Sequence, residues 1–196
     1  MNNSTSFIAI LISAIFVNNI ILMRFLGLCS FFGVSNKLSS AIGMSGAVLF
    51  VMLLATVTSW MIYYFVLVPL NLVFLRIIVF IVVISSLVQF VELFMKKSMP
   101  ALFRSLGIYL PLITTNCAIL AVTFLMIEYQ FNLLRAIIFA IGTSIGYSLA
   151  IILFSAMRER LEIAPIPNSM KGYGIVFITA ALMSLSFMGL IGLFGY

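Results

Sequence analysis

Apolar residues run almost without a break along this chain, in segments Phe7–Phe32, Leu38–Phe65, Leu70–Met95, Ala101–Ile127, Leu133–Met157 and Tyr173–Phe194. Polar or turn-forming residues separate them: Ser35-Asn36-Lys37, Pro69-Leu70-Asn71, Lys96-Lys97-Ser98-Met99-Pro100, then Glu128 with Asn132. The last and longest polar interval runs from Arg158 to Lys171 and holds Pro165 and Pro167. At about 1.5 Å of rise per residue, each apolar segment is long enough to cross a hydrocarbon layer of roughly 30 Å. Within lipid a helix satisfies its own backbone, which an isolated strand does not. The pattern predicts an all-α integral membrane protein of six transmembrane helices, forming one membrane domain over residues 1–196.

Composition agrees and excludes the alternative. Hydrophobic residues make up 65% of the chain and charged residues 7%, against about a quarter charged in soluble domains. The net charge of +6 sits at segment ends with no basic cluster on a polar face, so nucleic-acid binding is not expected. Lys37, Lys96, Lys97, Arg104, Arg158, Arg160 and Lys171 surround the odd-numbered loops, which the positive-inside rule assigns to the cytoplasm. Both termini are then expected outside a bacterial inner membrane. The first apolar run opens at Phe7 with no basic residue before it and no small-residue cleavage site after it, unlike a cleavable signal peptide.

Two segments depart from plain membrane helices. The first carries Asn18, Asn19 and Arg24, then Gly27, Cys29 and Gly33; the fourth carries Gly107, Pro111, Thr114, Thr115, Asn116 and Cys117. Amide and guanidinium groups at that depth need partners inside the protein. A lone Asn or Thr there is most often glue between helices. The pairing adds weight, because segments one and four hold the same place in two halves of three helices, about 1–98 and 99–196. An odd number of spans per half inserts the halves in opposite directions. Interrupted helices at matching places in such halves mark an inverted repeat with a site at their junction. Internal similarity is weak, Asn18-Asn19-Ile20-Ile21-Leu22 against Thr115-Asn116-Cys117-Ala118-Ile119-Leu120.

Cys29 and Cys117 are the cysteines of the chain, and it has no His. Small buried thiols are a common use of Cys, and a disulfide between these two is not favoured at membrane depth. Iron–sulfur clusters take thiolates in sets of four, so two would be half a set, and a second protein built alike would have to give the rest. Straight helices would leave Cys29 past the midplane on the cytoplasmic side and Cys117 past it on the other. The sulfurs come level only if both segments break near the glycines, Pro111 and the Asn/Thr clusters.

At these residues the chain resembles a known family. Asn18-Asn19-Ile20-Ile21-Leu22-Met23-Arg24-Phe25-Leu26-Gly27-Leu28-Cys29 is similar to the first-helix motif of the membrane subunits of the Rnf electron-transport complex, which the sodium-pumping NADH:quinone oxidoreductase shares. Leu106-Gly107-Ile108-Tyr109-Leu110-Pro111-Leu112-Ile113-Thr114-Thr115-Asn116-Cys117-Ala118 looks like the matching fourth-helix motif. The likeness extends to Pro69-Leu70-Asn71-Leu72, Arg158-Glu159-Arg160-Leu161 and Leu182-Met183-Ser184-Leu185-Ser186-Phe187-Met188-Gly189. Ala118-Ile119-Leu120-Ala121-Val122 replaces the Gly-Arg-Ala-Glu run of the E-type Rnf protein, which favours the A-type; the E-type protein of the sodium pump is the near alternative.

The resemblance implies a subunit of a redox-driven ion translocase. It implies a [2Fe–2S] cluster with Cys29 and Cys117 as half of its ligands, and an E-type six-helix partner of opposite orientation completing the set. Rnf proteins of the B, C, D and G types and the surrounding lipid are the further partners it implies. Asn18, Asn19, Thr114, Thr115 and Asn116 are then candidates to donate hydrogen bonds to the cluster or to pin unwound backbone. Arg24 either reaches the junction or snorkels to the cytoplasmic interface. Glu92, Glu128, Glu159 and Glu162 are the carboxylates of the chain. They lie at or near segment ends, so the ion route is expected largely elsewhere, and no complete active site is expected on this chain. A secondary transporter or channel, or a structural scaffold, remain the readings from other classes.

Overall fold

The computed structural model describes residues 7, 10–17, 19–35, 38–70, 73–98, 112–113, 116–163 and 172–194. Regular structure among them is helical throughout: α1 (Leu28–Val34), α2 (Leu38–Ile62), α3 (Arg76–Ser98), α4 (Cys117–Glu128), α5 (Leu133–Ile163) and α6 (Tyr173–Phe194). A π-helical turn at Ser13–Val17 ends the helical stretch before α1, and another at Tyr63–Leu67 prolongs α2. A 3₁₀ turn at Val73–Leu75 leads into α3.

Among the described residues, three helical stretches are long and apolar enough to cross a membrane: Leu38–Leu67, Arg76–Phe94 and Leu133–Leu161. Cys117–Glu128 and the described stretch Tyr173–Gly189 of α6 are shorter apolar helices. The first expected segment is not one rod. Its backbone leaves the helix after Val17 and re-enters it at Leu28. In the fourth, helix begins at Cys117 after an extended Asn116 with φ −70° and ψ 110°.

Helices α2 and α5 form the centre, with α4 and the first segment packed on them. Met44, Val48 and Met52 of α2, Ile119, Val122 and Met126 of α4, and Ala140, Tyr147 and Phe154 of α5 are fully buried. Lipid is as apolar as these side chains, so close packing and interhelical hydrogen bonds, more than water exclusion, hold the helices together. By contrast, α3 and α6 turn large apolar side chains outward, among them Phe90, Leu93, Phe177 and Leu185, as surfaces facing lipid or other proteins do.

The two ends of the bundle differ. Trp60, Tyr63 and Tyr64 cluster at the end where Tyr129, Phe131 and Phe139 surround the α4–α5 turn. The Trp60 indole N–H donates to Phe131 O at 3.1 Å. Amphipathic rings of this kind sit at a membrane–water boundary. At the opposite end, Arg158 Nη1 donates to Phe32 O at 3.0 Å and to Ser35 Oγ at 2.7 Å, so a cation meets the C-terminal end of α1. Its neighbour Glu159 accepts the first N–H of α2, Leu38 N–H, at 2.9 Å. One Arg-Glu dipeptide thus satisfies two helix termini.

Candidate functional site

The interruption of the first segment is built against α5. Gly142 and Gly146 stand one turn apart on that helix, and a Cβ on either would meet the backbone of the first segment. Leu11 O would lie 3.2 Å from one, and Ile15 O 3.0 Å from the other. This is the small-xxx-small arrangement that lets helix backbones approach in a membrane. The approach brings Asn19 Nδ2 to donate to Gly146 O at 2.8 Å. Its Oδ1 accepts Ile21 N–H at 3.2 Å and Leu22 N–H at 3.5 Å. Leu22 O in turn accepts from Ser184 Oγ at 2.7 Å. Groups freed by unwinding the helix are therefore satisfied inside the protein, as hydrocarbon requires.

Between Asn19 and Gly27 the chain makes an excursion along α5. Asn19 sits beside Gly146, Ile20 and Arg24 reach back beside Phe139, Thr143 and Tyr129, and Gly27 returns to Tyr147. Arg24 lies within the interruption, is exposed, and donates to Tyr129 Oη at 3.2 Å. That is the aromatic end of the bundle, opposite Arg158, and neither the cysteine junction nor the Arg158 end. A count along a straight helix sends Arg24 the other way because it misses the reversal.

Gly27 then turns the chain into α1 with φ +85°, a left-handed conformation that glycine adopts without strain. A Cβ there would meet Ala118 Cβ at 3.3 Å, Asn116 Oδ1 at 3.4 Å and Tyr147 Cε2 at 3.5 Å. Gly27 is thus the point where the starts of α1 and α4 touch. Its N–H donates to Cys117 Sγ at 2.8 Å across 90 residues of sequence. Cys29 is the second residue of α1 and Cys117 the first of α4, and the two thiols lie within interacting distance of each other. Both are free, with Cys29 exposed and Cys117 partly so.

Tyr147 supports the junction from behind. Fully buried, it donates from Oη to Ser30 Oγ at 2.7 Å, and Ser30 Oγ donates to Gly27 O at 2.8 Å. Tyr147 stands near the middle of α5, which has 31 residues, so the junction lies roughly 20 Å from either end of that helix. Asn116 caps α4, its Oδ1 accepting Ala118 N–H at 3.0 Å. The two thiols are therefore brought together beside the middle of α5, by the interruption of the first segment and the start of α4 after an extended Asn116.

Of the residues singled out from sequence, Cys29, Cys117, Gly27 and Asn116 meet here, while Asn19 holds the break next to it and Arg24 points elsewhere. Asn18, Gly107, Pro111, Thr114 and Thr115 lie outside the described residues, as do Lys37, Arg104 and Lys171. Sequence reasoning passed over Ser30, Tyr147 and the Gly142/Gly146 pair. A Gly-x-x-x-Gly spacing in an apolar segment was the available signal for the last. Among the described residues no group of three or more His, Cys, Asp and Glu gathers to hold a metal, and the junction offers two free thiols.

Comparison with known proteins gives a consistent result. A family model described as "Rnf-Nqr subunit, membrane protein" matches residues 7–194. A protein of Aeromonas salmonicida, named as the A-type member of an "Ion-translocating oxidoreductase complex", is 49% identical over 189 residues, covering 96% of this chain and 98% of the relative. Proteins of the same name from Serratia proteamaculans and Cronobacter sakazakii are each 50% identical over the same shares. Matched from end to end by the family model and by relatives at this identity, the chain belongs to the Rnf-Nqr family of membrane subunits.

Proposed function

We propose that this chain is the A-type membrane component of an ion-translocating oxidoreductase complex in a bacterial inner membrane, and that Cys29 and Cys117 hold half of a [2Fe–2S] cluster. The other two thiolates come from a homologous six-helix protein of opposite orientation. The relatives' shared name supports the complex, and one observation carries the cluster. Two thiols from distant parts of the chain stand together beside the middle of α5, with Cys29 open to a neighbour. The donor set fits the group: soft sulfur ligands, a backbone N–H on one of them, and a second N–H donor, on Asn116 next to Cys117, without an acceptor. In this reading the chain crosses the membrane six times as two inverted halves, with both termini outside.

When bound, the cluster supplies one-electron transfer. The residues of this chain do the rest. Cys29 and Cys117 fix the sulfur positions from two helix starts. Gly27 N–H on Cys117 Sγ favours added negative charge, as does the positive N-terminal end of α4. Asn19 and the Tyr147–Ser30–Gly27 chain hold the unwound backbone rigid. Packed side chains such as Ile20, Phe31 and Ile119 exclude water.

The test is the purified complex analysed for iron, acid-labile sulfide and the paramagnetic signal of its reduced centres, with Cys29→Ser and Cys117→Ser alongside. Loss of one two-iron centre and of electron transfer in either variant is expected. Unchanged iron, spectrum and electron transfer in both variants would remove the ligand assignment. A transporter or scaffold would keep its function without the thiols.

A further inference from the structure

Asn116 has one half of its carboxamide committed and the other not. Oδ1 accepts Ala118 N–H, which fixes the oxygen end and therefore where the nitrogen lies. Nδ2 is buried and makes no hydrogen bond among the described residues, on a side chain only 3% exposed. A buried amide donor without an acceptor is strongly unfavourable, and more so in hydrocarbon than near water. The cap alone does not call for this side chain, since Ser, Thr and Asp cap a helix about as well. Asn joins a capping oxygen to a permanent N–H donor.

The surroundings of that nitrogen narrow what it serves. Cys117 follows in sequence, and the Tyr147 hydroxyl lies within reach of the amide without a hydrogen bond of acceptable geometry. Tyr147 Oη is engaged with Ser30. Both thiols are close enough to Tyr147 to interact with it electrostatically. Asn116 and both thiols therefore gather around the Tyr147 hydroxyl.

We infer that Asn116 Nδ2 donates a hydrogen bond to a sulfur of the centre held by Cys29 and Cys117, and that this bond raises the centre's reduction potential. The inference rests on the proposed cluster. A donor interacts more strongly with the reduced centre, which carries one more negative charge, so it stabilises that state. Asn116 is in this sense a tuning residue and a cap at once.

Asn116→Ser separates the two roles, because Ser keeps the capping oxygen and loses the amide N–H. The readout is a redox titration of the paramagnetic signal that Cys29→Ser abolishes, with iron content measured in parallel. N116S is expected to keep its iron while the midpoint falls. At the parent's midpoint the oxidised-to-reduced ratio should move from even to about tenfold, a shift of about 59 mV for a one-electron couple. Full iron with a ratio changed less than twofold overturns the inference, the amide then serving Tyr147, and leaves the cluster intact. If C29S removes no signal, the cluster reading itself has failed. Should N116S not assemble, the parent complex with side-chain ¹⁵N-labelled asparagine decides by pulsed magnetic resonance: a nitrogen coupled to the centre supports the bond, and no such coupling overturns it.

Discussion

Replacing Gly27 by Ala adds one methyl group at the point where the two helix starts meet. Two terms set its cost. The left-handed backbone, φ +85°, costs an L-residue about 1–2 kcal/mol. The new Cβ would sit 3.3–3.5 Å from Ala118, Asn116 and Tyr147, close enough to add a few tenths of a kcal/mol by forcing small shifts in a packed site. The sum is about 2 kcal/mol, a factor of roughly 30 in the equilibrium between the formed and the opened junction. For a chain of this size that corresponds to about 4–8 °C in thermal midpoint. Gly46→Ala is the control, since nothing lies within 4 Å of a Cβ there and its backbone is helical. That change should be neutral or stabilise by up to about 1 kcal/mol. The assay is the thermal midpoint of the detergent-purified complex together with its iron content. G27A should melt lower and hold less iron than G46A, and equal midpoints and equal iron in the two would refute the reasoning about the junction.

Other predictions address the supports around it. Arg158→Ala removes two hydrogen bonds from a cation, to Phe32 O and Ser35 Oγ; a loss of about 2–4 kcal/mol is expected, read as a lower midpoint and faster proteolysis at the α1–α2 connection. Tyr147→Phe deletes the bond to Ser30 Oγ while Ser30 keeps Gly27 O, so a loss of about 1 kcal/mol with iron retained is expected, and complete loss of assembly would contradict this. Gly146→Val should prevent the first segment from reaching α5, because Ile15 O stands 3.0 Å from the Cβ position and is main chain that cannot rotate away. Assembly measured by size-exclusion chromatography should fail in G146V, whereas G46A assembles normally.

How far the sequence foretold this structure differs by residue. Asn19, Gly27 and Asn116 were legible as break points, because polar and helix-breaking groups deep in apolar runs need internal partners; Asn19 finds Gly146 O and Asn116 Oδ1 finds Ala118 N–H. The meeting of Cys29 and Cys117 could only be stated as a condition, since a helical count presumes unbroken rods and puts the sulfurs at different depths. Arg24 was misdirected for the same reason: the excursion between Asn19 and Gly27 reverses the chain and carries it to Tyr129. Tyr147 and Ser30 gave no local signal. A Tyr in an apolar helix reads as core or interface until its hydroxyl is seen to meet Ser30 on another segment. Cys117–Glu128 is a short apolar helix that begins after an extended Asn116.

Two thiols from interrupted segments, sharing one metal centre near mid-depth, are what the proposed function requires above all else. An electron cryomicroscopy map of the purified complex would reveal that centre directly. Density for a two-iron centre is expected in contact with Cys29 and Cys117 of this chain and with two cysteines of a facing homologous protein of opposite orientation. Continuous helices through residues 18–27 and into Cys117, with the two sulfurs far apart and no metal density against either, would contradict it.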